Sequence, residues 1–234
     1  MKFKKYIILI IFIFIYAYLT VDVSESTDII NLYKGALFQT RINFILYEVI
    51  ITICYCLFIH NEFESYVHEY GIYVITREKS RSKLLWRLIY KLLSFILIIE
   101  SLKVISFSII MILKKGKITV NNPIEVLKMI SLTLMVYIII LFIQMMIELY
   151  LEGRTAIAIV LTYYIVNLGL GTVLYNFESK LNVLILPNYI MKYRLDVLIK
   201  EYNLNYTNIL MILGLIIIIM VITAHKMFLK KDII

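Results

Sequence analysis

The chain has 234 residues, of which 62 % are hydrophobic, with two prolines, seven glycines and a mean hydropathy of +0.90. That composition excludes an ordinary water-soluble globular domain, and the formal charge of +8 then reads as lysine and arginine gathered at a membrane face, not as a nucleic-acid surface. Both cysteines, Cys54 and Cys56, fall inside an apolar run, which excludes a disulfide framework or a zinc knuckle in the loops.

Backbone in lipid must satisfy its own polar groups, so apolar runs of about 20 residues predict helices that cross a bilayer. The first run, Tyr6 to Val21, follows the basic residues Lys2, Lys4 and Lys5, and no small-x-small site follows Ala17. An uncleaved first helix is therefore expected. Further spans are predicted at Ile42 to Ile59, about Leu88 to Leu113, about Met129 to Ile147, Thr155 to Tyr175 and about Ile209 to Phe228. The expected fold class is all-α: a polytopic membrane protein of six transmembrane helices, forming one domain over residues 1–234.

Six crossings put both termini on one side. Placing them in the cytosol gives that side Lys2, Lys4, Lys5, Arg77, Lys79, Arg81, Lys83, Arg87, Lys91, Arg154, Lys226, Lys230 and Lys231. The outer side then holds Lys34, Arg41, Lys114, Lys115, Lys117, Lys180, Lys192, Arg194 and Lys200, with Asp22, Glu25 and Asp28 in the first outer loop. The cluster Lys114 to Lys117 runs against the bias. The expected location is the cytoplasmic membrane, multi-pass, with the N- and C-termini in the cytosol. The outer connection between 176 and 206 is apolar at Leu181 to Ile185 and Tyr189 to Ile199, broken by Pro187; it is either a pair of short re-entrant helices or a loop lying flat on the bilayer.

Between the second and third spans, Phe63, Tyr66, Val67 and Tyr70 fall at the spacing i, i+3, i+4, i+7, opposite Glu62, Glu64, Ser65, His68 and Glu69. That pattern predicts an amphipathic helix lying in the interface. Gly71 permits a bend, and Lys79, Lys83, Arg87 and Lys91 then recur every four residues as a positive stripe leading into the third span, with Trp86 at interfacial depth. The stripe either snorkels to anionic headgroups or forms, with the amphipathic helix, a lever that transmits a push from a cytosolic partner.

The order Glu69-Tyr-Gly71, Arg77, Ser80-Arg81, Trp86 and Lys91 after the second of six spans resembles the small type-2 permease subunits of ATP-binding-cassette exporters, of the Gram-positive kind that exports peptides or confers bacteriocin immunity. The resemblance implies that the segment 60–87 is the coupling element docking into a separate ATPase subunit. The contact residues it implies are Glu69, Gly71, Arg77, Ser80, Arg81, Lys83 and Arg87, joined by Glu152 and Arg154 between the fourth and fifth spans. It further implies a partly helical outer loop before the last span, a second permease copy or a related subunit as partner, membrane lipids around the spans and a peptide cargo. ATP and Mg would belong to the partner, with no cofactor in this chain.

The chain has no phosphate-binding loop of its own: Gly116-Lys-Ile-Thr119 lacks the upstream glycine. Ionisable residues within spans cost roughly 2.5–3.5 kcal/mol each on insertion scales, so Glu48, Glu100 and Lys103 need a reason. Glu100 and Lys103 either pair across three residues of one helix face, or join Glu48 at a dimer interface or wet cavity on the translocation pathway. Asn167, close to Gly169 and Gly171, is either a helix-packing residue or a further pathway residue. Glu148 reads as an end-of-span residue.

Two readings from other classes stay open. An intramembrane thiol peptidase would use Cys54 or Cys56 with His60, four residues from Cys56, although no third orienting residue is evident. Glu64 and His68 at i, i+4 supply only two metal ligands, too few for a site. A non-transporting immunity or sequestering membrane protein is the other alternative. No catalytic residue and no metal ligand is assigned.

Overall fold

A computed structural model describes residues 2–24, 26–36, 38, 42–60, 81–177 and 180–230. The amphipathic helix expected at 62–70, and with it Glu69, Gly71, Arg77 and Ser80, lies outside the described residues. Among the described residues there are seven α-helices: α1 (Lys2–Val23), α2 (Ile42–Ile59), α3 (Arg81–Lys115), α4 (Pro123–Glu148), α5 (Gly153–Asn176), α6 (Lys192–Tyr202) and α7 (Tyr206–Lys230). Three short 3-10 turns, Ile29–Tyr33, Lys180–Leu184 and Leu186–Ile190, lie in the connections. No strand occurs among the described residues; one parallel bridge joins Asp28 to Thr119.

Five helices, α1, α3, α4, α5 and α7, are long and apolar enough to cross a membrane, and the described apolar part of α2 is the shorter stretch Glu48–Ile59. This is the helical architecture of a multi-pass membrane protein. Helix α4 is its axis, since it packs against α2, α3, α5 and α7. Over half of its apolar window (56 %) is buried, against 17 % for α7, whose Met211, Leu215, Ile218 and Ile222 face outward. With few polar groups to segregate, burial here follows packing position and not amphipathic pattern.

The helices alternate in direction. Lys114 at the end of α3 pairs with Asp22 at the end of α1 at 2.9 Å and covers the Tyr18 ring at 3.4 Å, while Lys115 reaches Ser24. Thr119 exchanges backbone hydrogen bonds with Thr27 (2.9 Å) and Ile29 (3.0 Å). Tyr206, opening α7, donates to the Lys128 carbonyl of α4 at 2.9 Å. These contacts gather the connections 24–38, 116–122 and 177–205 at one end of the bundle. Lysines of this end sit beside acids of the same end: Lys114, from the cluster that runs against the charge bias, with Asp22, and Lys192 with Glu125 at 2.7 Å and Asp196 at 2.8 Å.

Helix α3 begins at Arg81, earlier than the span expected from about Leu88. Its 35 residues rise about 52 Å at 1.5 Å each, against a hydrocarbon core of about 30 Å. Its N-terminal stretch is basic and carries Lys83 and Arg87, both exposed, with Trp86 and Tyr90 exposed beside them. Lys91 folds back over the Phe95 ring at 5.6 Å.

The segment between α5 and α7 packs onto the helices. Pro187, Asn188, Tyr189 and Ile190 are buried against α4 and α5, and Met191, Arg194, Leu195 and Leu198 continue the buried face into α6. The first connection is drawn onto it: the Tyr193 amide donates to the Lys34 carbonyl at 3.2 Å, and Gly35 adopts φ +62° against Met191. A Cβ on Gly35 would stand 2.6 Å from Met191 Cβ and 3.1 Å from its Cα. Gly116 has a similar φ of +73° but open space around it. Gly116→Ala should therefore cost about 1 kcal/mol of left-handed strain alone. Gly35→Ala adds the collision and should cost about 2–4 kcal/mol. Thermal unfolding of the two purified variants checks the order; equal losses would mean that Gly35 does not abut Met191.

Candidate functional site

Beneath the two packed connections, α1, α2, α3 and α4 enclose a polar cluster in the apolar bundle. Its centre is the pair Glu100 and Lys103 on α3, three residues apart on one face, with Lys103 Nζ 2.8 Å from Glu100 Oε2 and both side chains buried. Tyr33, from the 3-10 turn of the first connection, donates to Glu100 Oε1 at 2.6 Å, and Tyr55 of α2 donates to Oε2 at 2.7 Å. The Tyr33 ring also lies 4.6 Å under Lys103 Nζ. Burial, and after it the neighbouring Glu100 carboxylate, push the Tyr33 hydroxyl well above the ordinary phenol range, so it remains a donor.

Glu48 of α2 is buried in the same cluster, where its charged neighbours are Lys103, Arg194 and Glu100. No salt bridge to Glu48 occurs among the described residues. One turn on, Thr52 bonds the Glu48 carbonyl at 3.0 Å and shares a hydrogen bond of 3.2 Å with the Tyr137 hydroxyl of α4. Tyr137 stacks on Tyr55 with centroids 3.9 Å apart. The Tyr164 hydroxyl of α5 lies beside Thr52 and Tyr137 without a hydrogen bond of acceptable geometry.

A second polar centre ties the two connections to α5. Arg194 is fully buried. Its Nε donates to the Ala36 carbonyl at 3.1 Å, Nη1 to the Leu168 carbonyl at 3.3 Å and to Asn188 Oδ1 at 3.0 Å, and Nη2 to Thr172 Oγ1 at 3.4 Å. The guanidinium lies 4.8 Å from the Phe38 ring, which stacks on Tyr175 at 4.4 Å. Burial lowers its pKa to about 10, opposed by Tyr164 and Glu48, so it stays cationic at neutral pH. Asn188 holds its other end by donating to the Asn182 carbonyl at 3.1 Å. The sequence places Arg194 in the outer connection, within the apolar stretch Tyr189 to Ile199; the structure buries its side chain because that segment packs into the bundle.

At the opposite end, Glu148 is the last residue of α4, where the sequence places the end of the span, and its side chain is buried against the bundle (1 % exposed). Gln144, one turn earlier, donates to Glu148 Oε1 at 2.9 Å and to the Cys56 carbonyl at 3.1 Å, which draws this end of α4 onto α2. Cys54 and Cys56 are both buried and unpaired to each other. No group of three metal-ligating side chains occurs among the described residues.

The structure thus brings Glu48, Glu100 and Lys103 together inside the bundle of one chain. Asn167 is elsewhere, its amide donating to the Tyr163 carbonyl of its own helix at 2.7 Å. Gly169 has open space around it, whereas a Cβ on Gly171 would lie 3.0 Å from both Arg194 Nη1 and Asn188 Oδ1. Only Gly171 therefore serves close packing. Lys83, Arg87, Glu152 and Arg154 are all exposed, and all lie at the end opposite the packed connections.

The pairing of Glu100 with Lys103 follows from their spacing, but Tyr33, Tyr55, Tyr137 and Arg194 did not stand out in sequence. The one signal for Arg194 was an arginine following Pro187-Asn188 within an otherwise apolar stretch.

The family model described as a protein of unknown function (DUF2705) matches residues 6–234, and the chain belongs to that family. No curated protein and no solved structure matches the chain.

Proposed function

We propose that this member of the DUF2705 family is the membrane-spanning subunit of an ATP-driven exporter in a bacterial cytoplasmic membrane, moving a peptide or similarly amphipathic cargo. In this reading α1 to α5 and α7 make six crossings with both termini in the cytosol. The packed connections 24–38 and 177–205 then face outward.

The observation that carries the reading is the reach of α3. A helix about 20 Å longer than the hydrocarbon core, basic and exposed at Lys83 and Arg87, extends from the membrane as a rigid arm. A push on that arm moves Glu100 and Lys103, which lie on the same continuous helix beneath the outer connections. A separate ATPase subunit holding ATP and Mg docks on the arm, on the preceding segment through Glu69, Gly71, Arg77 and Ser80, and on Glu152 and Arg154. The described interior is closed around its ionic cluster. Cargo therefore passes between this chain and a second permease subunit, with Asn167 on the outer part of α5, and the cluster of Glu48, Glu100 and Lys103 keeps each subunit rigid.

Reversing Arg81, Lys83 and Arg87 to Glu is expected to abolish co-purification of the ATPase while leaving membrane insertion intact, because an electropositive docking face becomes repulsive. Recovery of undiminished ATPase with the triple variant refutes the docking face. A wild-type chain that purifies with no ATPase from its native membrane supports the sequestering protein instead.

A further inference from the structure

Between α1, α2, α3, α4 and the first connection lies a small cavity of about 10 Å³, lined by Tyr16, Tyr33, Glu48, Lys103, Thr133 and Tyr137 together with a few aliphatic side chains. We propose that this cavity is a binding site for a single water molecule, which joins Glu48 to Lys103 and gives Thr133 its hydrogen-bond partner.

Three observations carry this independently of the transport reading. The volume corresponds to about one water and no more. The lining is polar on most sides, and polar cavities of this size are hydrated while apolar ones stay dry. Thr133, only 2 % exposed, has its Oγ1 buried with no hydrogen-bond partner among the described residues, an arrangement that native interiors avoid.

The water also accounts for an asymmetry between the two carboxylates. Lys103 is taken directly by Glu100 at 2.8 Å, and no salt bridge reaches Glu48 among the described residues. A water accepting from the Lys103 ammonium and donating to the Glu48 carboxyl links both acids to one cation. Its remaining bond goes to the Thr133 hydroxyl. Glu48, water, Lys103 and Glu100 then form one continuous chain across α2 and α3.

Thr133→Val gives opposite signs for a wet and a dry cavity. With water present, the isosteric methyl removes one of its partners, and the melting temperature of the purified protein should fall by about 2–4 °C. With the cavity dry, the same substitution removes an unsatisfied hydroxyl and the melting temperature should rise. Thr133→Ser, which keeps the hydroxyl, should retain more stability than Thr133→Val. A rise or no change in the valine variant overturns the proposal. If that variant does not fold, an experimental density map of the unaltered protein decides: a peak between Glu48, Lys103 and Thr133 supports the site, and an empty cavity there overturns it.

Discussion

Lys103→Met should lower the unfolding free energy by about 3–5 kcal/mol, because it leaves the Glu100 carboxylate buried with no cation. For a chain of this size that corresponds to a fall of roughly 6–20 °C in melting temperature in detergent. The effect comes from the orphaned charge and not from the strength of the pair. The double variant Glu100→Gln with Lys103→Met should therefore recover a good part of the loss, since the neutral amide still accepts from one tyrosine hydroxyl through its oxygen and donates to the other through its NH2. Tyr33→Phe and Tyr55→Phe should each cost much less, about 0.6–1.7 kcal/mol, the range of interhelical hydrogen bonds in a membrane. An Lys103→Met protein that melts within a degree of the parent would show that the ammonium does not neutralise Glu100 in the folded state.

The contrast between those magnitudes bears on how the centre works. Two tyrosine hydroxyls from different elements, Tyr33 in a connection and Tyr55 on α2, converge on one carboxylate of α3. Each bond is modest, yet together they fix where the outer connection sits relative to the long helix. Movement of α3 along its axis would carry Glu100 away from Tyr33 unless the connection followed. In the exporter reading this is the route by which force at Lys83 and Arg87 reaches the outer end.

The spans were legible in the sequence because bilayer thickness dictates the length of an apolar run and the backbone permits only helix there. The bounds Ile42 to Ile59 coincide with helix α2, which is not among the five described helices long and apolar enough to cross a membrane, and the expected fourth and fifth spans fall within α4 and α5. Helix α3 starts ahead of the expected span and runs through the basic stripe of Lys83, Arg87 and Lys91, because charges end an apolar run but not a helix, and lysine and arginine are good helix formers. Glu100 and Lys103 were legible as a pair because their spacing is local. Tyr33 and Tyr55 were not, since nothing in a chain with 19 tyrosines marks the two whose hydroxyls meet a carboxylate 67 and 45 residues away. The end-of-span position of Glu148 was legible but its burial was not, for the same reason: Gln144 beside it reaches a backbone carbonyl of another helix, and carbonyls carry no sequence signature.

Arg194 is the clearest case, and it carries the second large effect. Three of its four hydrogen bonds end on α5 or on residues of the two connections that only the fold brings near, the carbonyls of Ala36 and Leu168 and the hydroxyl of Thr172. Arg194→Lys keeps the charge but replaces a planar fork by a point donor, so most of these acceptors lose their partner inside the protein. A loss of about 3 kcal/mol is expected, measured by thermal unfolding. Gly171→Ala presses a methyl against Nη1 and Asn188 Oδ1 and should cost about 1–3 kcal/mol, whereas Gly169→Ala, with open space around it, should be neutral or slightly stabilising. Because Gly171→Ala and Arg194→Lys disturb one contact, their combination should lose less than the sum of the two. Strict additivity would mean that the guanidinium does not lie against Gly171, and the two connections would then be held to α5 by something other than Arg194.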